Sequence, residues 1–233
     1  MSSRRLDISA YLSGLPLFNE MRPAELERLA AGSQVRRYAR GEEVFSVGQP
    51  CEEFHVVISG QVKLYALSPS GQEKVIEIIS AGHSCAEALM FTGKPYIVNA
   101  QTLNDALVLT VKKQAVLEEI ERDPRFALRM LGGISRRLHG LVHDVESAAL
   151  HSGMQRVIGY LLRDLDLDGQ EPAQTTTVSL VVSKATVASL LNLTPEYFSR
   201  VLRELEDSGL IDVDKRNIHI KDPKGLAKYS MPG

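Results

Sequence analysis

The spacing of apolar residues changes along the chain, and each change marks a different kind of structure. From Ser33 to Lys112 apolar and polar residues alternate in short runs. YARGEEVFSVGQ, EEFHVVISGQVKLYALS, QEKVIEIISAG and NAQTLNDALVLTVK are rich in Val, Ile and Tyr and are broken by Gly. Many short strands with frequent turn signals predict a small barrel or roll rather than a parallel sheet. Ser68–Gly71 (SPSG) lies between two such runs and predicts a hairpin turn. Before the roll, Pro23–Ser33 reads as a helix with Pro at its first position and Gly32 at its end.

Beyond Lys113 the spacing lengthens to three and four. Leu131, Ile134, Leu138, Leu141, Val142, Val145 and Ala149 form one stripe on a helix that starts near Asp123 and Pro124. Gly132, Gly133 and Gly140 each weaken that helix by roughly 1 kcal/mol against Ala, so packing must hold it. The stripe serves either as the seam of a homodimer or as a core face within one chain. His151–Gly153 then reads as a hinge, MQRVIGYLLRDL as a helix, DLDGQEPAQTTT as a polar loop and VSLVV as a short strand. The pattern divides the chain into a sensor-like roll over 1–122, a long helix over 123–151 and a third segment over 152–233.

The third segment holds the most specific pattern, SKATVASLLNLTPEYFSRVLREL over residues 183–205. It predicts two short helices around a turn. Ser183 caps the first and Asn192 supplies the left-handed turn residue. Thr194 caps the second, with Pro195 at its first position. Phe198, Val201, Leu202 and Leu205 make the buried face, which leaves Glu196, Ser199, Arg200 and Arg203 on the polar one. Gly209 ends the helix, and LIDVDKRNIHI predicts a hairpin with Lys215 and Arg216 near its tip. Two helices and such a hairpin make a winged helix-turn-helix. Arg donates to O6 and N7 of guanine, Glu accepts from the cytosine amino group, and Ser serves either kind of partner. An ordinary helical hairpin is the structural alternative, with Glu196 and Arg200, four apart, as a surface ion pair.

Composition tempers this. The chain has 233 residues, 44% of them hydrophobic, with a net charge of −2. From Ser152 onward ten Lys and Arg face eleven Asp and Glu, so any basic footprint on double-stranded DNA must be local. Ser183, Lys184, Thr194, Arg203, Lys215 and Arg216 are the backbone-contact candidates, and Glu196, Ser199 and Arg200 the base readers. No apolar run approaches the roughly 18 residues needed to span a bilayer, and with a basic pair but no long apolar core in MSSRRLDISAYLSGLPLF a secretory signal is not expected. Cys51 and Cys85 are the only cysteines. They suit a reducing cytoplasm and cannot supply the four ligands of an iron–sulfur cluster. An enzyme of the cupin type would need a metal-ligand cluster, and the roll offers only His55 and His83, with no H-x-H spacing. No enzyme activity is expected.

Over almost its full length the chain resembles the CRP/FNR family of bacterial transcription regulators. The resemblance implies an α+β fold: an N-terminal β-roll of the cyclic-nucleotide-binding type (a double-stranded β-helix), a long dimerisation helix and a C-terminal winged helix-turn-helix. Glu196-Tyr197-Phe198-Ser199-Arg200 matches the pattern E-x-x-S-R of the fumarate-and-nitrate-reduction branch. That match implies TTGAT-type half-sites in an inverted repeat, with Glu196 and Arg200 sharing a G·C pair and Ser199 near thymine. It also implies a homodimer joined along Leu131, Ile134, Leu138, Leu141, Val142 and Val145, acting with RNA polymerase.

Cyclic-nucleotide members carry G-E-L and, about ten residues on, Arg-Ser or Arg-Thr. Here Ala86-Glu87-Ala88-Leu89 is followed by Ile97-Val98 at the Arg-Ser position. An aliphatic pair leaves a buried cyclic phosphate unpaired at prohibitive cost, so cyclic AMP is not the expected effector. SPSGQEKVIEI, CAEALMFTGKP and SRRLHGLVHDVES resemble the dissimilatory nitrate respiration regulator group. That resemblance implies a nitric oxide response through haem and activation of anaerobic, nitrogen-oxide respiration genes (denitrification). His83, His139 and His143 are the candidate axial ligands, with His55, His151, His219 and Cys85 behind them. The alternative is gating by another small molecule or by the redox state of Cys51 or Cys85.

Overall fold

The computed structural model describes residues 7–15, 18, 20–163, 165, 175–180 and 182–229, without the side chains at 136, 137, 140, 143, 144 and 146–149. The chain divides into two compact units, one ending at Leu141 and the other starting at Val142.

In the first unit, α1 (Ile8–Ser13) and α2 (Pro23–Ala31) precede β1 (Ser33–Tyr38), β2 (Glu43–Phe45), β3 (Glu53–Ser59), β4 (Gln61–Leu67), β5 (Glu73–Ser80), β6 (Ser84–Cys85), β7 (Asn99–Thr102) and β8 (Ala106–Lys112). These strands form two antiparallel sheets, ordered β1-β8-β3-β6 and β2-β7-β4-β5. Hairpin β4–β5 turns through Ser68–Gly71, where Gly71 takes φ +81° and Ser68 N donates to Gln72 O. The central strands β3 and β8 bury consecutive residues, Phe54–Val57 and Val108–Val111, and so are covered on both faces, whereas Val62, Leu64 and Ile79 of the other sheet are buried at alternate or spaced positions.

Two helices close the unit, α3 (Lys113–Arg122) and α4 (Arg125–Leu150), the latter continuing into the second unit. One face of α4 belongs to the roll: Phe126 and Met130 are buried in its core, worth about 1.5–3 kcal/mol each. Ile134, on the edge of that face, packs partly against the same core. The adjacent face carries Leu128, Leu131, Leu138, Leu141, Val142, Val145 and Leu150, all exposed. The predicted stripe is therefore divided. Ile134 serves the chain's own core, whereas the others are exposed among the described residues; the Ala149 side chain lies outside them.

An ion network ties the root of α4 to α2. Glu25, 1% exposed, accepts from Arg22 N at 2.8 Å, Arg22 Nε at 3.0 Å and Arg129 Nη2. Asp123 accepts from Arg22 and, at 3.1 Å, from Arg125 Nε. Glu119, also buried, takes a two-point bond from Arg28 at 2.5 and 2.6 Å. Burial raises the Glu25 pKa, but the Arg22 hydrogen bonds and the Arg129 charge outweigh it and leave it below the ordinary value.

The second unit contains α5 (Gly153–Leu162), β9 (Thr176–Ser179), α6 (Lys184–Leu190), α7 (Pro195–Asp207), β10 (Ile211–Asp214), β11 (Asn217–Ile220) and α8 (Pro223–Tyr229). Its sheet runs β10-β11-β9. Strand β9 begins earlier than the VSLVV run suggested: Thr176–Ser179 pair with β11, while Leu180 and Val182 are buried beyond the strand's end. Val157, Ile158, Leu161, Val187, Phe198, Val201, Leu202 and Leu205 join them in the core. Between α4 and α5 only His151 and Ser152 intervene, and Ser152 caps α5 by accepting from Gln155 N at 3.2 Å.

Candidate nucleic-acid interface

The predicted caps form. Ser183 Oγ accepts from Thr186 N at 3.1 Å and Thr194 Oγ1 from Tyr197 N at 3.2 Å. Asn192 turns the chain at φ +57°, and Gly209 leaves α7 at φ +74°. From α5, Arg156 Nη1 donates to Leu191 O at 2.5 Å and so satisfies a carbonyl at the end of α6. Because Phe198, Val201, Leu202 and Leu205 are buried, helical geometry turns Glu196, Ser199, Arg200 and Arg203 outward, and all four are exposed.

Two local interactions differ from expectation. Glu196 and Arg200 form no ion pair. The Arg200 guanidinium lies over the Tyr197 ring instead, 4.8 Å from its centroid, one turn back along the helix. Glu196 stays in the first turn of α7, where a carboxylate is favoured by the exposed N–H groups. Ser199 Oγ donates to Pro195 O at 2.8 Å, so its proton is committed to the backbone and its lone pairs and methylene remain for a partner.

Hairpin β10–β11 pairs Asp214 with Asn217, which leaves Lys215 and Arg216 as an exposed two-residue loop. Lys215 takes φ +53° there. Ser183 is exposed and Lys184 half-buried at the start of α6. The second unit thus presents an exposed Glu–Ser–Arg trio on one capped helix and two cations at a wing tip. Such a set can hydrogen-bond base edges and neutralise phosphates.

In the roll, Ala86 opens the cassette at φ +70°, a conformation that costs a residue with a Cβ roughly 1–3 kcal/mol. The backbone keeps a shape suited to glycine without having glycine. Glu87 is buried, Ile97 is 63% exposed, and Val98 packs partly on the core. No guanidinium stands at position 97 or 98 to meet a phosphate.

Of the candidate haem ligands, His83 stands on an exposed turn with Nδ1 donating to Ala81 O at 3.3 Å. His139 is exposed on α4, and the side chain of His143 lies outside the described residues. The histidine that sequence reasoning ranked low, His55, is the buried one. Its ring stacks on Phe45, and Nε2 is 3.1 Å from Tyr96 Oη. That hydroxyl donates to Glu53 O at 2.8 Å, so it accepts from Nε2–H, and His55 Nδ1 is left without a hydrogen-bond partner. Burial, with a smaller effect from Arg36, lowers the His55 pKa to about 3. A signal for this existed: EFHVVI is nearly continuous in apolar character, as in a strand covered on both faces.

His83 and His139 are exposed, and no group of three or more His, Cys, Asp or Glu able to hold a metal ion occurs among the described residues. Cys51 and Cys85 are both buried, and burial raises the Cys51 thiol pKa, the opposite of what a reactive thiolate needs. No helix among the described residues is long and apolar enough to cross a membrane.

Two family models match separate segments of the chain. The cyclic nucleotide-binding domain family matches residues 35–123, and the Crp-like helix-turn-helix domain family matches residues 155–229. The solved structure of DNR from Pseudomonas aeruginosa is 33% identical, covering 99% of this chain and 100% of that one, with a TM-score of 0.54. The transcriptional activatory protein AadR of Rhodopseudomonas palustris is 27% identical over 94% of this chain and 91% of its own length. FixK2 from Bradyrhizobium japonicum shares the fold at a TM-score of 0.72, with 21% identity over 86% of this chain and 98% of that one. The matched domains and relatives are transcription regulators, not enzymes.

Proposed function

We propose, for a chain that belongs to the CRP/FNR family of transcription regulators, that it is a homodimeric, effector-gated activator reading a TTGAT-type inverted repeat. One observation carries the reading of the site: Glu196, Ser199 and Arg200 stand together, exposed, on a helix held at its N-terminus by Thr194 and Pro195. Arg200 takes guanine O6 and N7, Glu196 accepts from the paired cytosine amino group, and Ser199 meets thymine through its methylene or lone pairs. Arg203, Lys215, Arg216, Ser183, Lys184 and Thr194 contact phosphates and fix register.

An inverted repeat calls for a two-fold reader whose recognition helices lie about 34 Å apart. The exposed apolar face of α4, Leu131, Leu138, Leu141, Val142 and Val145, supports such a dimer, because contiguous apolar patches on a helix ask for cover. In the family the effector shifts the balance between arrangements that do and do not match that spacing. An activator bound there acts by touching RNA polymerase.

The effector is a small molecule other than cyclic AMP, a reading supported by Ile97 and Val98 at the phosphate-pairing position. Similarity to DNR supports nitric oxide as the signal to test first, whereas the exposure of His83 and His139 weighs against haem as its receptor. An absorption spectrum of protein produced with haem supply, before and after nitric oxide, decides this: an unshifted spectrum removes haem.

The DNA reading is tested with Arg200→Ala. It should cost roughly 1–3 kcal/mol on the specific site and flatten the preference for guanine. Equal losses on specific and scrambled duplexes would contradict the assignment.

A further inference from the structure

Tyr197 fills one of the unspecified positions of the E-x-x-S-R pattern, and the geometry gives it a task. Its ring lies under the Arg200 guanidinium, 4.8 Å from centroid to Cζ. The ring is itself held by the start of α5. A methyl group built at Gly153 would lie 2.5 Å from Tyr197 Cε1 and 3.0 Å from Leu193 Cδ2, so a side chain there would push the aromatic edge from its place. The Tyr197 backbone is fixed as well, since its N–H is the group that Thr194 Oγ1 caps. Platform and helix end are therefore pinned together, and neither depends on DNA.

We infer that Tyr197 is a positioning residue for base readout: it pre-orders Arg200 so that the guanidinium meets a guanine edge without first giving up its rotamer freedom. The inference rests on the proposed DNA reading and deepens it. A free Arg side chain carries several rotatable bonds, and ordering it on binding opposes affinity. A flat cation over an aromatic face is restrained before the duplex arrives, while its N–H edge stays free to donate in its own plane. The expected Glu196 partner is absent in the unbound protein, so the ring is the contact that restrains Arg200. The same ring touches the residue that follows the Ser152 cap, which makes Tyr197 the side chain joining the start of α5 to the base-reading face.

The test is a double-mutant cycle on the full-length chain. Wild type, Tyr197→Leu, Tyr197→Phe, Arg200→Ala and Tyr197→Leu/Arg200→Ala are titrated against the TTGAT-type inverted repeat and against the same duplex with the guanines replaced. Thermal melts establish that each variant folds, and Tyr197→Phe keeps the ring should Tyr197→Leu fail to fold. The expected result is a two- to fivefold fall, about the range of an exposed cation–aromatic contact per half-site, in the guanine preference of Tyr197→Leu. Tyr197→Phe should retain the preference, and Tyr197→Leu should change nothing once Arg200 is Ala. An unchanged preference in Tyr197→Leu overturns the inference, as does an additive cycle, equal weakening on both duplexes, or a loss in Tyr197→Phe as large as in Tyr197→Leu. If wild type itself does not distinguish the duplexes, the DNA reading fails and the inference with it.

Discussion

Replacing Glu25 by Gln should loosen the root of the long helix, and the size of the effect follows from its surroundings. Glu25 is 1% exposed and joins Arg22, which is largely solvated, to Arg129, whose side chain is 18% exposed. Gln keeps volume and most of the shape but removes the charge and turns an amide N–H₂ toward guanidinium donors. Breaking a fully buried pair costs about 3–5 kcal/mol; with Arg22 free to hydrate and Asp123 within 3.9 Å of Arg129, about 2–3 kcal/mol is the better figure. That lowers the Tm of the N-terminal unit by roughly 5–12 °C. Calorimetry at neutral pH measures it, and repetition at lower pH tests the cause. The Glu25 pKa in the folded chain lies below its unfolded value. Its contribution is therefore complete above the unfolded value of about 4.3 and disappears as pH falls through the folded one. The gap between wild type and variant should close over that window. A Tm change under about 2 °C, or a gap independent of pH, would refute the account.

Other outcomes are equally specific. Leu138→Glu, on the exposed face of α4, should turn a dimer into a monomer in analytical ultracentrifugation without lowering the Tm of the N-terminal unit. Gly153→Ala should destabilise the second unit by about 1–3 kcal/mol in thermal melts, because the new methyl meets the Tyr197 ring at 2.5 Å. His55 should show no NMR titration between pH 5 and 8, since its folded pKa is about 3. The unfolded chain binds that proton near pH 6.5, so stability should fall by up to about 1.4 kcal/mol for each unit by which pH drops from 6.5 toward 3.

Helix α7 was legible because its signals are local. Thr194, Pro195, Asn192 and Gly209 act on backbone groups within a few residues of themselves, and Phe198, Val201, Leu202 and Leu205 set the buried face by spacing alone. The roll was legible as strands for the same reason.

What the linear order determined, then, was which elements form and which side chains α7 shows to solvent, since period and capping are properties of neighbours in the chain. Tertiary structure decided the contacts that cross it. Glu25 meets Arg129 across 104 positions, Gly153 meets Tyr197 across a strand and a helix, and His55 loses its solvent because Phe45 and Tyr96 pack about its ring. It also chose between two local partners for Arg200, the Glu196 carboxylate and the Tyr197 ring, by packing that ring against α5. Burial and charge pairing depend on distance in space, and the sequence carries that distance only once the chain has folded.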